Sequence, residues 1–532
     1  MADMDVRSRL RRREFVIAGT GAGLALAGPG PLNYVALAKE RNLPLARAGK
    51  FAHGVASGFP GTNAITVWTR VSELTRSSRL TLEVARDKHF RHVVKRQSVI
   101  ADPKHDYTVH ARVAGLKPAH EYFYRFETKT KHSRVGTFRT LPPANSNQAI
   151  KIGFYSCQSY EAGYYTAQGA LAKEKDLDFV LCLGDYIYEH HYYDGPAARA
   201  DKTGTNKDGD VQTLAEYRQK YRFYQTDPHL QDLHAAHPFV VIWDDHEVED
   251  NYAGDKPDSA STDPANKENN NQYPRRVPFG ARRKNGYKAF YEAMPRIAPK
   301  ANRNYGSIRL GKMAELFLTD ERQYRDQQPC NDVQVTDCPD DMTPGRTFLG
   351  AAQKSWVKAA VPKSAAQWKL FASETMMMSL DSAPGSHANQ DQWDGYSAER
   401  EEILTSYVDK KVDNLVVLSG DIHTFIAGNL YTNGETSGKR VGTELVGGSA
   451  TSFGLPEELK IPSATLDSLR KASDPHVVYA EFDHRGYCVV NVTKTELQGE
   501  FKAVSTTQDP NGTVASLAKF KVESGDPTLH QV

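Results

Sequence analysis

The sequence predicts an α/β protein in which an N-terminal β-sandwich, residues 49–143, precedes a larger α/β domain, residues 150–532. Two observations predict this fold class. Segments that alternate apolar and polar residues occupy the first part, as half-buried strands do. From residue 150 onward, continuous apolar segments end in polar residues and alternate with helical stretches, which is typical of buried strands in an α/β sheet. The composition, 39% hydrophobic and 25% charged, excludes fibrous, disordered and multi-span membrane proteins.

Residues 1–38 are predicted to be a cleaved export signal. Arg12-Arg13-Glu14-Phe15 resembles the core of a twin-arginine signal. The apolar stretch that follows, 16–27, is shorter than the roughly twenty residues that span a bilayer, and Ala36-Leu37-Ala38 fits a cleavage site. We therefore expect the twin-arginine translocation machinery as a partner, and a periplasmic, secreted or cell-envelope location. No stable membrane span is expected in the mature chain.

The N-terminal part predicts a fibronectin-like β-sandwich. Residues 64–69 and 80–84 alternate as half-buried strands do. The turn Gly115-Leu116-Lys117-Pro118 is followed by Tyr122, Tyr124 and Phe126 at alternate positions, which resembles the penultimate strand pair of a fibronectin-type sandwich. A Pro-rich linker, 141–146, ends this domain.

Four apolar segments of the second domain end in residues that can bind metals. These strand ends carry Ser156-Cys157-Gln158, Gly184-Asp185, Asp244-Asp245-His246-Glu247 and Gly420-Asp421-Ile422-His423. Ligands of such sheets gather where the strands end. Because several carboxylates buried at one sheet edge repel each other unless cations are present, the pattern predicts a polynuclear metal site.

The residues around Asp185 indicate which metal one half of this site would take. Asp185 can bridge two metals through its two oxygens, and Tyr188 follows three residues later. A tyrosine with a pKa near 10 ionises at neutral pH only beside a strong Lewis acid, for which Fe³⁺ is the natural choice. A Cys157 thiolate would add to the anionic ligands. The alternatives are that Tyr188 packs its ring and that Cys157 is a small buried apolar residue.

These motifs together resemble PhoD-type alkaline phosphatases, which belong to the calcineurin-like metallophosphoesterases and are related to purple acid phosphatases. The resemblance extends from about residue 51 to 490. It rests on the strings at 53–58, 156–158, 184–188, 243–248, 322–326, 346–350, 420–423 and 483–487. It implies that the catalytic domain has four layers in the order αββα, and that the centre holds Fe³⁺ and Ca²⁺.

The resemblance also implies the ligands. The iron ligands would be Cys157, Asp185, Tyr188 and one of Asp421 and His423, and the calcium ligands would be Asp185, Asp245 and members of the same Asp421/His423 pair. Which of those two residues meets which metal stays open. Asp244 is expected to orient a ligand. The segment Glu249-Asp250-Asn251-Tyr252 departs from the family's frequent pattern, and Asn251 is carried over as a ligand or phosphate contact.

The expected activity is hydrolysis of phosphate monoesters or diesters at alkaline pH by a metal-bound hydroxide. Asp185 would act through the metals. His246 could protonate the leaving oxygen, bind a metal or make a structural hydrogen bond. The alternatives are a phospholipase D-like phosphodiesterase and a metal-stabilised binding or adhesion protein.

Two further expectations concern residues downstream of the centre. Arg322 and Arg325 could clamp a phosphate or form structural ion pairs. Cys330 and Cys338 could form a disulfide in an oxidising compartment. The formal net charge of +2 gives no basic excess of the kind that nucleic-acid binding requires, so no nucleic-acid partner is expected.

Overall fold

The computed structural model describes residues 43–191, 197–258, 274–332, 338–383, 386–387 and 389–532. The predicted export signal, residues 1–38, lies outside the described residues. Within them, none of the helices is both long enough and apolar enough to cross a membrane.

Twenty-three strands are found in the described residues. The first eleven are β1 (Val55–Gly58), β2 (Ala64–Arg70), β3 (Ser78–Ala85), β4 (Val93–Ala101), β5 (Thr108–Ala114), β6 (Glu121–Glu127), β7 (Gly136–Arg139), β8 (Ile150–Tyr155), β9 (Phe179–Cys182), β10 (Pro238–Val241) and β11 (Gly306–Leu310). The others are β12 (Ala314–Leu318), β13 (Trp368–Ala372), β14 (Asp381–Ala383), β15 (Ser386–His387), β16 (Leu415–Ser419), β17 (Phe425–Tyr431), β18 (Arg440–Val446), β19 (Val477–Glu481), β20 (Gly486–Val492), β21 (Glu496–Val504), β22 (Val514–Glu523) and β23 (Leu529–Gln531).

Eight α-helices accompany these strands in the described part of the chain. They are α1 (Thr166–Leu171), α2 (Leu214–Tyr224), α3 (Pro228–Ala236), α4 (Phe279–Ala293), α5 (Gly350–Lys363), α6 (Ser397–Asp409), α7 (Leu455–Leu459) and α8 (Ser463–Ser473). Local sequence explains two of the helix starts. Thr213 and Glu216 form a capping box at α2, and the Asp227 carboxylate accepts two amides at the start of α3, whose first residue is Pro228.

Two large sheets form the centre of the molecule. One has ten strands in the order β23-β22-β21-β20-β8-β9-β10-β1-β2-β5, and the other has seven in the order β11-β12-β13-β16-β18-β17-β19. The central pairs β8–β9, β9–β10 and β13–β16 are parallel. Parallel pairing places the carboxyl ends of these strands at the same edge, which is where the predicted metal ligands follow.

Residue alternation along the strands explains the layers. Ile152, Phe154 and Leu181 point into the apolar core between the two large sheets, whereas Val180 and Cys182 face the other side of the ten-stranded sheet. Helices α1 to α4 cover that outer face, and α5 and α6 cover the outer face of the seven-stranded sheet. The predicted αββα order is therefore confirmed, together with the β-rich N-terminal part.

The N-terminal strands join the large sheet directly. β1, β2 and β5 pack on a four-stranded sheet, β4-β3-β6-β7, and β1 also pairs in parallel with β10. The sandwich therefore shares a sheet with the α/β part. Further contacts fix the two parts together: the Trp68 indole N–H donates to the Glu292 carbonyl at 2.8 Å, and His110 Nε2 lies 2.9 Å from the Met294 carbonyl oxygen.

Candidate metal centre

The predicted ligands meet where strands of both large sheets end. Cys157 follows β8, Asp185 follows β9 and Asp245 follows β10, all in the ten-stranded sheet. Asp421 and His423 follow β16 of the facing sheet. All of these side chains are buried except that of Asp421, which is 16% exposed. The four strand ends singled out in the sequence therefore form one cluster.

The backbone is strained at these strand ends. Cys157, Asp185, Asp421 and His423 have φ angles of 58°, 54°, 67° and 54°. Such left-handed conformations of non-glycine residues cost on the order of 1–3 kcal/mol each, and they persist only where the surrounding structure enforces them. Gly184, with φ of 113°, precedes Asp185, and a Cβ there would lie 2.4 Å from the Asp244 Cβ. Close approach of the two loops therefore requires glycine.

A thiol, an imidazole and a phenol lie close to the Asp185 carboxylate. Candidate ligand atoms of Cys157, Asp185 and His423 all lie within 4.8 Å of one another. The Tyr188 hydroxyl donates to Asp185 Oδ2 at 3.0 Å and lies 3.1 Å from His423 Nε2. The Ser452 hydroxyl donates to the Tyr188 oxygen at 2.7 Å. The Tyr188 oxygen therefore points at this group.

A second, carboxylate-rich group shares Asp185 with the first. Oxygen atoms of Asp185, Asp244, Asp245 and Asp421 lie within 4.8 Å of one another. Burial raises the pKa of Asp185 well above its usual range; His246 opposes this, and Asp245 and Asp244 add to it. Asp185 Oδ1 is buried without a hydrogen-bond partner among the described residues. Since an unpaired carboxylate oxygen among carboxylates is costly, this donor set fits a bridging position between two cations.

Arg322 compensates part of this negative charge. Its fully buried guanidinium contacts the Asp244 carboxylate through Nε and donates to Asp421 at 2.8 Å and to Asp391 at 2.5 Å. Asp244 and Asp421 follow strands of different sheets. Arg322 therefore joins the two sheets at the edge that carries the site.

Arg325 and Asn251 hold the loop beside the centre. The Arg325 guanidinium donates to the carbonyls of Asn251 and Tyr252 and, at 2.6 Å, to the Asp391 carboxylate. The Asn251 backbone N–H donates to Asp245 Oδ2 at 2.7 Å, and its side-chain Nδ2 donates to the Asp332 carboxylate at 2.9 Å. Arg325 is thus engaged in ion-pair and carbonyl contacts, and the backbone of Asn251 orients Asp245.

His246 lies against Tyr188 and is oriented by Glu189. Its ring centroid is 4.1 Å from that of Tyr188, its Nδ1 is 2.7 Å from Glu189 Oε2, and its Nε2 is 3.8 Å from Asp250 Oδ1. Burial lowers the pKa of His246, but Glu189, Asp185 and Asp245 together raise it well above its usual value. Glu189 was not predicted from the sequence, because only the fold brings it to His246.

Glu247 fastens two of the loops that carry ligands. Its fully buried carboxylate accepts the amides of Asp244 at 2.8 Å, Asp185 at 3.1 Å and Tyr186 at 2.6 Å. It therefore connects the loop after β9 to the loop after β10. The sequence marked Glu247 only as part of the Asp-Asp-His-Glu string, and its role as an acceptor of amides from another strand end needed the structure.

The remaining predicted pair lies in the segment beyond Arg325. The structure joins Cys330 to Cys338 by a disulfide, with Cα atoms 6.1 Å apart. Asp332, two residues after Cys330, accepts the Asn251 side chain. The disulfide-bonded segment therefore contacts the loop that borders the centre.

Comparisons with known proteins identify the family of the chain. A family model described as PhoD-like phosphatase matches residues 152–501, and one described as PhoD-like phosphatase, N-terminal domain, matches residues 37–142. Alkaline phosphatase D of Bacillus subtilis (strain 168) is 34% identical over 546 residues, covering 98% of this chain and 89% of that protein.

Solved structures give the same result for the fold. A structure described as that of PhoD superposes with a TM-score of 0.79 at 32% identity, covering 91% of this chain and 92% of the other. A purple acid phosphatase from yellow lupin (Lupinus luteus) seeds superposes with a TM-score of 0.55 at 12% identity, over 91% of this chain and 75% of the other. The second likeness concerns the fold alone.

Replacing Glu247 should disturb the centre more than the fold. Glu247→Gln exchanges one acceptor oxygen for an amide that faces backbone N–H groups, so we expect a loss of about 1–3 kcal/mol in unfolding free energy. We also expect bound metal per chain to fall, since both ligand loops lose their common anchor. Denaturant unfolding and elemental analysis measure the two effects.

Glu399→Gln is the matched control. Glu399 is also buried and accepts two amides, those of Phe348 and Leu349, at 3.1 and 2.9 Å. It should cost similar stability and leave the metal content unchanged. Equal metal content in both variants would contradict the anchoring role of Glu247.

Proposed function

The chain belongs to the PhoD-like phosphatase family and is a phosphoric ester hydrolase, and from this premise we propose that it is an exported, metal-dependent enzyme for phosphate monoesters and diesters. The observation that carries the proposal is Asp185, which belongs to both candidate ligand groups and whose buried Oδ1 has no hydrogen-bond partner among the described residues. Family membership sets aside the alternative of a binding or adhesion protein.

We propose Fe³⁺ and Ca²⁺ as the two kinds of cation. Cys157, Tyr188 and His423 would hold Fe³⁺ together with Asp185, because a thiolate, a phenolate and an imidazole suit a strong Lewis acid. Asp245 and Asp421 would hold Ca²⁺ with Asp185, because Ca²⁺ prefers oxygen ligands. When bound, the cations supply Lewis acidity that polarises the phosphoryl group and activates a water molecule.

The separation of the two ligand groups supports an assignment that the sequence left open. His423 lies with Cys157 and Tyr188, whereas Asp421 lies with Asp244 and Asp245. We therefore assign His423 to the iron side and Asp421 to the calcium side. Asp244, paired with Arg322, would orient the carboxylates beside it without binding a metal itself.

His246 would supply the proton that the leaving oxygen needs. Glu189 Oε2 lies 2.7 Å from Nδ1, and Nε2, on the other side of the ring and 3.8 Å from Asp250 Oδ1, would donate to the leaving oxygen. Glu189, the carboxylate that raises the pKa of His246 most, favours the imidazolium, which is the form that can donate a proton. The ring contact with Tyr188 fixes the imidazole next to the proposed iron ligands.

Export by the twin-arginine route is proposed from the sequence of residues 1–38. The disulfide between Cys330 and Cys338 supports an oxidising destination. N-terminal sequencing of the protein recovered from the periplasm or the culture fluid tests this proposal, because an intact N-terminus on the exported protein would contradict cleavage near Ala38.

The proposed activity is tested with a set of substrates and a chelator. Purified protein loaded with iron and Ca²⁺ is expected to hydrolyse p-nitrophenyl phosphate and bis-p-nitrophenyl phosphate at alkaline pH, and removal of Ca²⁺ by EGTA should abolish turnover until Ca²⁺ returns. Phosphatidylcholine is included, because cleavage of it alone would favour the phospholipase D-like alternative. Turnover that survives removal of both metals would refute metal dependence.

Asp185→Asn should remove both kinds of cation. The amide loses the negative charge that the two groups share, so we expect less bound iron and less bound calcium. Activity should fall by more than about 100-fold, the upper end of losses seen when only an outer partner of a metal ligand is changed. Elemental analysis and turnover of both substrates check this.

Asp178→Asn is its matched control. Asp178 is a buried aspartate that directly precedes β9, whereas Asp185 follows that strand. The Asp178 carboxylate accepts the Lys151 backbone amide at 3.0 Å. It should keep both metals and its activity. If Asp185→Asn retains full metal content and near-normal turnover, Asp185 does not bridge.

Colour tests the tyrosine ligand. Phenolate bound to Fe³⁺ gives a charge-transfer band in the visible, so Tyr188→Phe should abolish or strongly shift the band at equal iron content, and activity should drop. Tyr186→Phe is the control, because Tyr186 is also buried and its hydroxyl faces His234 at 3.4 Å. Colourless iron-loaded wild type, or an unchanged spectrum in Tyr188→Phe, would show that Tyr188 is not a ligand.

A further inference from the structure

A second group of potential metal ligands lies outside the centre. Candidate ligand atoms of Asp381, His387 and Glu435 all lie within 4.8 Å of one another. Asp381 and His387 are direct partners in the antiparallel pair β14–β15, which puts their side chains on one face. Glu435 lies in the connection between β17 and β18, with Oε1 3.8 Å from His387 Nε2. Three separate positions of the chain thus converge on one point.

The imidazole of His387 is oriented as metal-binding imidazoles usually are. Its Nδ1 lies 2.5 Å from Asp341 Oδ2, on the side away from Glu435. Histidine ligands commonly donate their second ring N–H to a carboxylate, which fixes the ring and makes the ligating nitrogen more basic. Asp341 follows Cys338 by three residues, so the disulfide anchors the segment that carries it.

Asp474 is a further buried acidic residue beside Asp381. This residue is fully buried and its Oδ1 accepts the backbone amide of Asp381 at 3.1 Å. Its Oδ2 has no hydrogen-bond partner among the described residues. Of the two nearby arginines, Arg400 donates to Asp394 at 2.6 Å and Arg470 donates to Asp467 at 2.7 Å. Asp474 thus brings a buried carboxyl oxygen without a hydrogen-bond partner next to the backbone of Asp381.

We propose that Asp381, His387 and Glu435 bind a divalent transition metal, with Zn²⁺ as its representative, and that Asp341 orients His387. Two carboxylates and one imidazole are ligands that Zn²⁺ accepts, and three protein ligands leave its fourth position to water. Calcium and magnesium prefer sets made only of oxygen atoms, which the imidazole does not provide. The half-buried state of His387 and Glu435 gives a cation a way in from solvent.

The position of this site links it to the catalytic edge. The chain runs from His387 to Asp391 and Gln392 within five residues. Asp391 pairs with Arg322 and Arg325, and the Gln392 side chain contacts Asp421. A cation at His387 would therefore fix the start of a segment whose next residues hold Arg322 and Asp421 in place.

Zinc stoichiometry and location test the proposal. Holoenzyme, with its catalytic metals bound, is equilibrated with Zn²⁺, and zinc is counted by elemental analysis and located by anomalous diffraction at the zinc edge. Wild type should bind one more Zn²⁺ than His387→Gln or Glu435→Gln, with a density peak between Asp381, His387 and Glu435. In each variant the affinity of this site should fall by at least about tenfold.

His484→Gln is the matched control, because His484 lies 3.1 Å from Glu481 on the surface and belongs to no three-residue ligand group among the described residues. It should bind as much zinc as wild type. If His387→Gln fails to fold, Glu435→Gln decides, since Glu435 is partly exposed in a surface connection. Equal zinc in wild type and Glu435→Gln, or no peak at the cluster, would overturn the proposal and leave His387 as a protonated ion-pair partner.

Discussion

The main constraint on this structure is the repulsion among four carboxylates that lie at one buried edge, where the central strands of both sheets end. Asp185, Asp244, Asp245 and Asp421 lie within 4.8 Å of one another, and a single guanidinium, that of Arg322, contacts Asp244, Asp245 and Asp421. Mutual repulsion at such distances is strong in a medium of low polarity. Without cations, only packing and the Arg322 contacts would oppose this repulsion. The two sheets, the strained strand ends and the loops around them are arranged so that this charge stays together and can be neutralised by bound metal.

Two buried charged side chains hold the loops of this edge together, one within the ten-stranded sheet and one between the two sheets. Glu247 accepts amides from the loops after β9 and β10 and so works within the ten-stranded sheet. Arg322 links Asp244 of that sheet to Asp421 of the other and so works across the interface. Removing either partner of a buried charged contact leaves the other unsatisfied, which is costly. The positions of the candidate ligands therefore depend on Glu247 and Arg322 as well as on the strands that carry them.

Local sequence patterns predicted much of the fold and of the candidate site, whereas the features that the sequence did not predict depend on long-range contacts. The four strand ends could be found because apolar segments and the residues that follow them are adjacent in sequence, and the αββα order followed from the motifs' resemblance. The pairing of β1 with β10 could not be found, because it joins residues about 180 positions apart and leaves no trace in either segment. The contact of Glu189 with His246 and the ion-pair partners of Arg322 could not be predicted for the same reason. The separation of His423 from Asp421 depends on side-chain directions two residues apart, which only the fold determines.

The two histidines of the centre show how the same environment yields opposite chemistry. Burial lowers the pKa of His423 to about 3, with Arg485 and His246 acting in the same direction, so its imidazole is neutral. A neutral ring offers a lone pair, and His423 Nε2 lies beside the Tyr188 hydroxyl and the Cys157 thiol. His246 is also buried, but contacts with Glu189, Asp185 and Asp245 raise its pKa well above the usual value, in the opposite direction. Carboxylate contacts thus give two buried imidazoles opposite pKa shifts, although both follow strand ends of the same edge.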